Sequence, residues 1–254
     1  MIQKLTLAQV FCQPIVPISF VISFATLISI FFYCIKSGLT KTDKQISWIL
    51  TFTSSLVCTF ISIPHFFFFW RSGWDMNLLS FDSNFHISMV CFFISYLVLD
   101  LSLGSIYYRH RITVLTGWIH HPLYIGVFLW LLKSRSSSFF SVSCLLELPT
   151  LLLAIGSIRD QWRCDFLFAS TFFALRLVFH SYMIIALKQY HRLEFLWMFA
   201  MSVFPLHLYW FYGIIGQLIK RYPVIYKSKT DGVSSAVVQA KRSKHSFLER
   251  IYTI

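Results

Sequence analysis

The sequence predicts an all-α, polytopic membrane bundle of about seven transmembrane helices, and three observations carry that expectation. The 254 residues are 57% hydrophobic and only 13% charged, whereas soluble domains carry roughly 25% charged residues. Apolar runs of about 20 residues recur along the chain, each long enough to cross a ~30 Å hydrocarbon core. Backbone at that depth has no water to bond, and a helix satisfies its own N–H and C=O groups within one segment.

Taken in order, the expected spans are 14–36, 46–70, 87–107, 112–133, 138–158, 166–187 and 194–219. The boundaries of 138–158 and 194–219 are the softest, so six spans is the alternative count. The first apolar stretch exceeds the 7–15 residues of a signal-peptide core and reads as a retained helix. Three regions follow: residues 1–44 with the first helix and loop, a membrane domain over 45–221, and a basic, solvated tail over 222–254. The run Ser134-Arg-Ser-Ser-Ser138 reads as a tight turn between spans. Six scattered cysteines, mostly inside spans, show no disulfide or zinc spacing and read as small buried hydrophobes.

The net charge of +12 comes from basic residues dispersed over loops and tail. That pattern is a topology signal rather than a nucleic-acid-binding surface. With seven spans, fifteen basic residues fall on the side of Lys36, Lys44, Arg109, Arg111, Arg159 and the tail, against six on the other. The positive-inside rule then expects a cytosolic C-terminus. The tail segment Lys241-Arg242-Ser243-Lys244 adds weak attraction to an anionic leaflet.

The informative residues are the ionisable ones inside the apolar runs: Asp100, His120, His121, Glu147 and Arg176. A charge at the bilayer centre costs about 2.5–3.5 kcal/mol on insertion scales, so such groups pair, line a cavity or work. At 1.5 Å per helical residue, all five lie roughly 11–17 Å from the cytosolic side, in one layer supplied by four helices. Local spacing adds detail. Arg176 and His180 are four apart, as are His120 and Tyr124, so each pair shares a helix face. Asp100, Gly104 and Tyr107 share another, with Gly104 permitting close approach. Pro149 removes a backbone hydrogen bond beside Glu147 and opens room for a kink.

Each feature also has a plain structural reading. Asp100 or Glu147 with Arg176 is a buried ion pair that fixes register. His180 and His207 are interhelical hydrogen bonders, and His65 is interfacial. The run Phe66 to Trp70 and the cluster Tyr209-Trp-Phe-Tyr212 suit a bilayer interface. The adjacent pair His120–His121 resists this treatment. Successive helical side chains point about 100° apart, so at least one imidazole faces protein or water.

Several segments together resemble the TLC-domain family, which contains the Lag-type ceramide synthases and translocating-chain-associating membrane proteins. They are Ser95-Tyr-Leu-Val-Leu-Asp100-Leu, Gly117-Trp-Ile-His120-His121-Pro, Leu146-Glu147-Leu-Pro149-Thr150, Phe172-Phe-Ala-Leu-Arg176-Leu and Leu208-Tyr-Trp-Phe-Tyr212. The likeness runs from about Lys44 to Arg221. It implies an endoplasmic-reticulum address and a role with lipids. In ceramide synthases a histidine pair and acidic residues acylate a sphingoid base from acyl-CoA, and His120 and His121 match the first part. The His-Asp pair with a second Asp three residues on is replaced here by Glu147-Leu-Pro149-Thr150, as in the smaller TLC proteins assigned to lipid homeostasis.

Two functions follow. One is a lipid-homeostasis protein binding a lipid or acyl chain in a polar cleft, with Asp100, Tyr124, Arg176 and His180 as lipid contacts. The other is an acyltransferase with His120, His121 and Glu147 as catalytic groups and acyl-CoA as co-substrate. Neither needs a metal or a bound cofactor. The expected partners are membrane lipids or acyl chains, the bilayer and a second copy of the chain, with no nucleic acid. A seven-span receptor is disfavoured because Tyr107-Tyr108-Arg109 lacks an Asp-Arg-Tyr order. A di-iron desaturase would need several histidine boxes; a transporter stays open through the intramembrane charges, although no repeat relates the two halves.

Overall fold

A computed structural model describes residues 4–193 and 195–223, so most of the expected tail lies outside the described residues. The described chain is helical throughout, with no strand. A short α1 (Leu7–Phe11) leads into α2 (Ile15–Lys36), and α3 (Asp43–Ile46) leads into α4 (Ile49–Arg71). The third long helix is α5 (Asn84–Tyr107), followed by a π-helical turn, Val114–Ile119, that runs into α6 (His120–Lys133). Next come α7 (Ser137–Ser143) and α8 (Leu148–Ile158), joined by the 3-10 segment Cys144–Glu147. The helices α9 (Asp165–Phe172) and α10 (His180–Tyr190) flank a second π segment, Phe173–Phe179, and α11 (Leu196–Arg221) closes the bundle.

Among the described residues, six helical stretches are long and apolar enough to cross a membrane on their own: Ile15–Lys36, Asp43–Arg71, Asn84–Tyr107, Ser137–Ile158, Asp165–Tyr190 and Leu196–Arg221. The expected span 112–133 is absent from this set. Its π turn and α6 together run 20 residues, and they carry His120-His121-Pro122 near their middle. It nonetheless makes a seventh pass through the bundle, packed along α5.

Loop contacts show the passes alternating between two ends. At one end, Leu5 N–H donates to the Lys133 carbonyl (2.9 Å) and Ser138 N–H to the Phe81 carbonyl (3.1 Å). There Arg192 Nη2 also donates to the Ser80 carbonyl (2.9 Å) and Ser136 Oγ (3.0 Å). At the other end, Gln45 Nε2 donates to the Ile158 carbonyl (3.0 Å), Lys44 pairs with Asp160 (3.3 Å), and Arg221 pairs with Asp165 (2.8 Å). The basic loops therefore gather at this second end, as the charge count expects. The Ser134–Ser138 turn sits at the first, with Arg135 in the left-handed region at φ 54°.

The middle of the bundle is α5, packed against α2, α4, α6 and α7. Its most apolar window is 61% buried against 11% for α11, which lies at the periphery. Close packing of α4 uses small residues: Ser54, Ser55, Cys58, Thr59 and Ser62 are all buried where α4 meets α8 and the 3-10 segment. Small side chains let membrane helices approach without a hydrophobic drive. The serine hydroxyls are answered locally, as when Ser55 Oγ donates to the Thr51 carbonyl (2.7 Å) and Ser62 Oγ to the Thr59 carbonyl (2.8 Å), whereas Thr59 Oγ1 is buried with no hydrogen-bond partner. Of the cysteines, Cys58, Cys91 and Cys144 are buried as expected, while Cys12 and Cys164 are exposed; all six are free thiols.

Candidate functional site: a polar chamber at the basic end

One cavity of about 470 Å³ is lined by Asp100, His120, His121, Glu147 and Arg176 together. Lys44, His110 and Arg111 also line it, on the end where the basic loops gather. Apolar wall is supplied by Trp48, Leu153, Phe168, Phe172, Trp210 and Ile214. The five ionisable residues thus share one chamber, contributed by α5, α6, the π segment before α10 and the 3-10 turn before α8.

The charges inside are organised as two pairs. Asp100 Oδ2 lies 3.5 Å from His121 Nε2, and Asp100 Oδ1 accepts the Tyr108 hydroxyl at 2.8 Å. Glu147 Oε1 lies 3.3 Å from Arg176 Nη2. Of the two carboxylates offered by the sequence, Glu147 is therefore the arginine's partner and Asp100 the imidazole's. His121 Nδ1 is buried with no hydrogen-bond partner.

The partner of Asp100 is Tyr108 rather than Tyr107. The helix ends at Tyr107, and Tyr108 leaves helical geometry at φ −147°, which swings its phenol back toward Asp100. Burial and the adjacent carboxylate push the Tyr108 phenol far upward, so it stays neutral and donates. Tyr107 instead packs edge-on against Phe31 and Phe32. Gly104 is close-packed as expected, but what it admits is protein: a Cβ there would lie 2.7 Å from Ile112 Cδ1 and 2.8 Å from Tyr108 Cε2.

Arg176 is held on several sides. Its Nε donates to the Leu146 carbonyl (3.0 Å) and its Nη2 to Thr150 Oγ1 (2.8 Å). Leu146 lies three residues before Pro149, which has no N–H to offer it in the 3-10 register, so the arginine takes that acceptor. The guanidinium also lies 5.5 Å from the Phe172 ring centroid and 5.9 Å from that of Trp210, in cation–π range. Both Arg176 and the entrance to His120 sit on π-helical segments, whose extra residue per turn re-aims side chains and recurs at functional sites.

Two sequence-predicted contacts, Tyr124 and His180, fall outside the cavity wall. Tyr124 backs it, with its ring centroid 4.2 Å from that of His120. His180 is buried behind Arg176, its Nδ1 2.9 Å from His207 Nδ1. His207 Nδ1 is also 3.2 Å from the Arg176 carbonyl, which can only accept. His207 therefore donates from Nδ1, and His180 accepts. The expected structural role of His180 and His207 fits this geometry better than lipid contact. His65 packs against His86 and Phe85.

Sequence reasoning missed Tyr108, Thr150 and Trp210. The aromatic cluster was expected at the interface, which suits Tyr209 and Tyr212, both exposed. Trp210 instead faces inward, 5.9 Å from the His120 ring. Its spacing of three from His207 would have placed the two on one face. Among the described residues no cluster of His, Cys, Asp or Glu could hold a metal ion. No protein-family model, curated protein or solved structure matches the chain.

Proposed function

We propose that this is a TLC-like membrane protein that takes a lipid or acyl chain into the chamber and acts in membrane lipid homeostasis. The observation that carries the reading is the single cavity in which Asp100, His120, His121, Glu147 and Arg176 meet apolar wall. A cavity of this size holds one small ligand, and its mix of greasy wall and few polar groups is that of a binding site. The motifs resembling the TLC family point the same way and suggest the endoplasmic reticulum. The basic end, on this reading, faces the cytosol, with the C-terminus.

A second reading, acyl transfer from acyl-CoA to an amine, is favoured by the Asp100–His121 pair at 3.5 Å. A carboxylate beside an imidazole orients it and stabilises its charged form. His121 would take the proton as the amine nitrogen bonds to the thioester carbon, and return it to the departing thiolate. Comparison of membrane lipids with and without the protein, beside a transfer assay on purified material, separates the two. Altered phospholipid composition without transfer supports the first. Altered ceramide chain lengths, with transfer abolished by His120→Ala/His121→Ala at normal expression, supports the second. Unchanged lipids and no transfer would contradict both.

A further inference from the structure

The chamber ends on a floor of aromatic rings, and the floor limits what fits above it. We infer that Phe93 sets the length of acyl chain the chamber accepts and selects a medium-length chain; this rests on the lipid-binding reading above.

Along α5 the chamber wall changes character with depth. Asp100 stands in the ionised layer, and Leu97, Tyr96 and Phe93 follow it inward. Phe93 lies fourteen residues from the end of α5 at Tyr107, about 21 Å in at 1.5 Å per residue. Glu147 and Arg176 each stand eleven residues from the basic end of their own span, about 16 Å in, so Phe93 is deeper than either. Its ring is held from behind. The centroids of Phe128 on α6 and Phe140 on α7 lie 5.3 and 5.1 Å from that of Phe93, and 4.7 Å from each other. The three rings, one from each of three helices, are all buried, and of the three Phe93 lines the chamber. A chain end arriving there meets an aromatic surface packed on its far side, and such packing yields little.

Both carboxylates of the ionised layer are already matched, Asp100 by His121 and Glu147 by Arg176. An uncharged head that only hydrogen-bonds suits that layer, because it breaks neither pair and buries no new ion. With the head at the level of Asp100, the tail runs seven residues of α5 to Phe93, about 10 Å of helix. An extended chain advances about 1.2 Å per bond, as a polypeptide does at ~3.5 Å per three-bond residue, so about eight carbons reach the floor. The chamber's 470 Å³ lies in the lower half of the range for small-ligand sites, which suits one such chain.

The test uses full-length protein in nanodiscs and a monoacylglycerol series from hexanoyl to palmitoyl, with binding expressed per mole fraction in the bilayer so that partitioning does not set the order. The unmodified protein is expected to bind octanoylglycerol and decanoylglycerol most tightly, and palmitoylglycerol at least fivefold more weakly. Phe93→Ala leaves a space that its surroundings fill only in part, so it should move the optimum longer by about two to four carbons. Phe93→Leu should move it the same way by less, and stands in where the alanine form does not fold. Phe31→Leu removes a fully buried ring from α2, outside the chamber wall, and should leave the optimum in place. Affinity that rises without a break to palmitoylglycerol in the unmodified protein would overturn the length assignment and leave the lipid chamber standing. An optimum unmoved by both Phe93 substitutions, or moved equally by Phe31→Leu, would also overturn it. Binding of no member of the series would remove the chamber reading as well.

Discussion

Arg176 is the residue through which most of the site is tied together. It bridges Glu147, Thr150 and the Leu146 carbonyl on one side, while His207 donates to its own carbonyl on the other. Removing one partner of a buried pair costs about 3–5 kcal/mol, because the other is left as an uncompensated charge. Arg176→Ala should therefore lower the thermal stability of the detergent-solubilised protein steeply. Arg176→Met combined with Glu147→Leu removes both charges and should restore most of that loss. Equal damage in the single and double variants would show that the helix contacts, rather than the ion pair, set the stability. Individual residues in the chamber were legible from the sequence because charge in a greasy run is costly wherever it stands. Their partners were not. Which carboxylate meets which base depends on helix rotation, and a tyrosine one position beyond the helix end took the role expected of its neighbour.

At the scale of elements, the helix-to-helix loop after α10 has its own chemistry. His191 Nδ1 accepts the Leu193 N–H at 3.0 Å, and its Nε2 lies 2.8 Å from Ser80 Oγ. Both ring nitrogens are thus engaged in the neutral form. Burial, together with the adjacent Arg192, pushes the imidazole down to about 4. The unfolded chain, near 6.5, takes up the proton first, so protonation favours unfolding. This loop's stabilisation is therefore complete above pH 6.5 and lost as pH falls toward 4, on the order of 2–3 kcal/mol. Melting between pH 7.5 and 4.5 should show the decline, and His191→Gln should flatten it; an unchanged slope would place the acid sensitivity elsewhere. The long spans were readable to within a few residues from apolar length alone. The two π segments and the 3-10 turn were not, because each adds or removes a fraction of a turn while leaving the hydrophobic pattern intact. Only Pro149 announced its interruption, since a missing N–H is written in the sequence.

Across the whole molecule, six helices meet the membrane on their own terms, and the pass that does not carries His120 and His121. A helix bearing two adjacent imidazoles near its middle would be a poor membrane span in isolation. Packed along α5, it places its polar residues in a chamber and leaves the lipid-facing work to its neighbours. The bundle is thus organised as an apolar shell around a polar interior that opens on its basic end.

A photoactivatable acyl-chain lipid, cross-linked to the protein in native membranes and mapped by mass spectrometry, tests the chamber most directly. Adducts are expected on inner-wall residues such as Phe172 and Trp210, and they should fall when unlabelled lysophospholipid competes. Adducts confined to outward positions such as Ile22 on α2, with the inner wall unlabelled, would mean that no lipid enters the bundle.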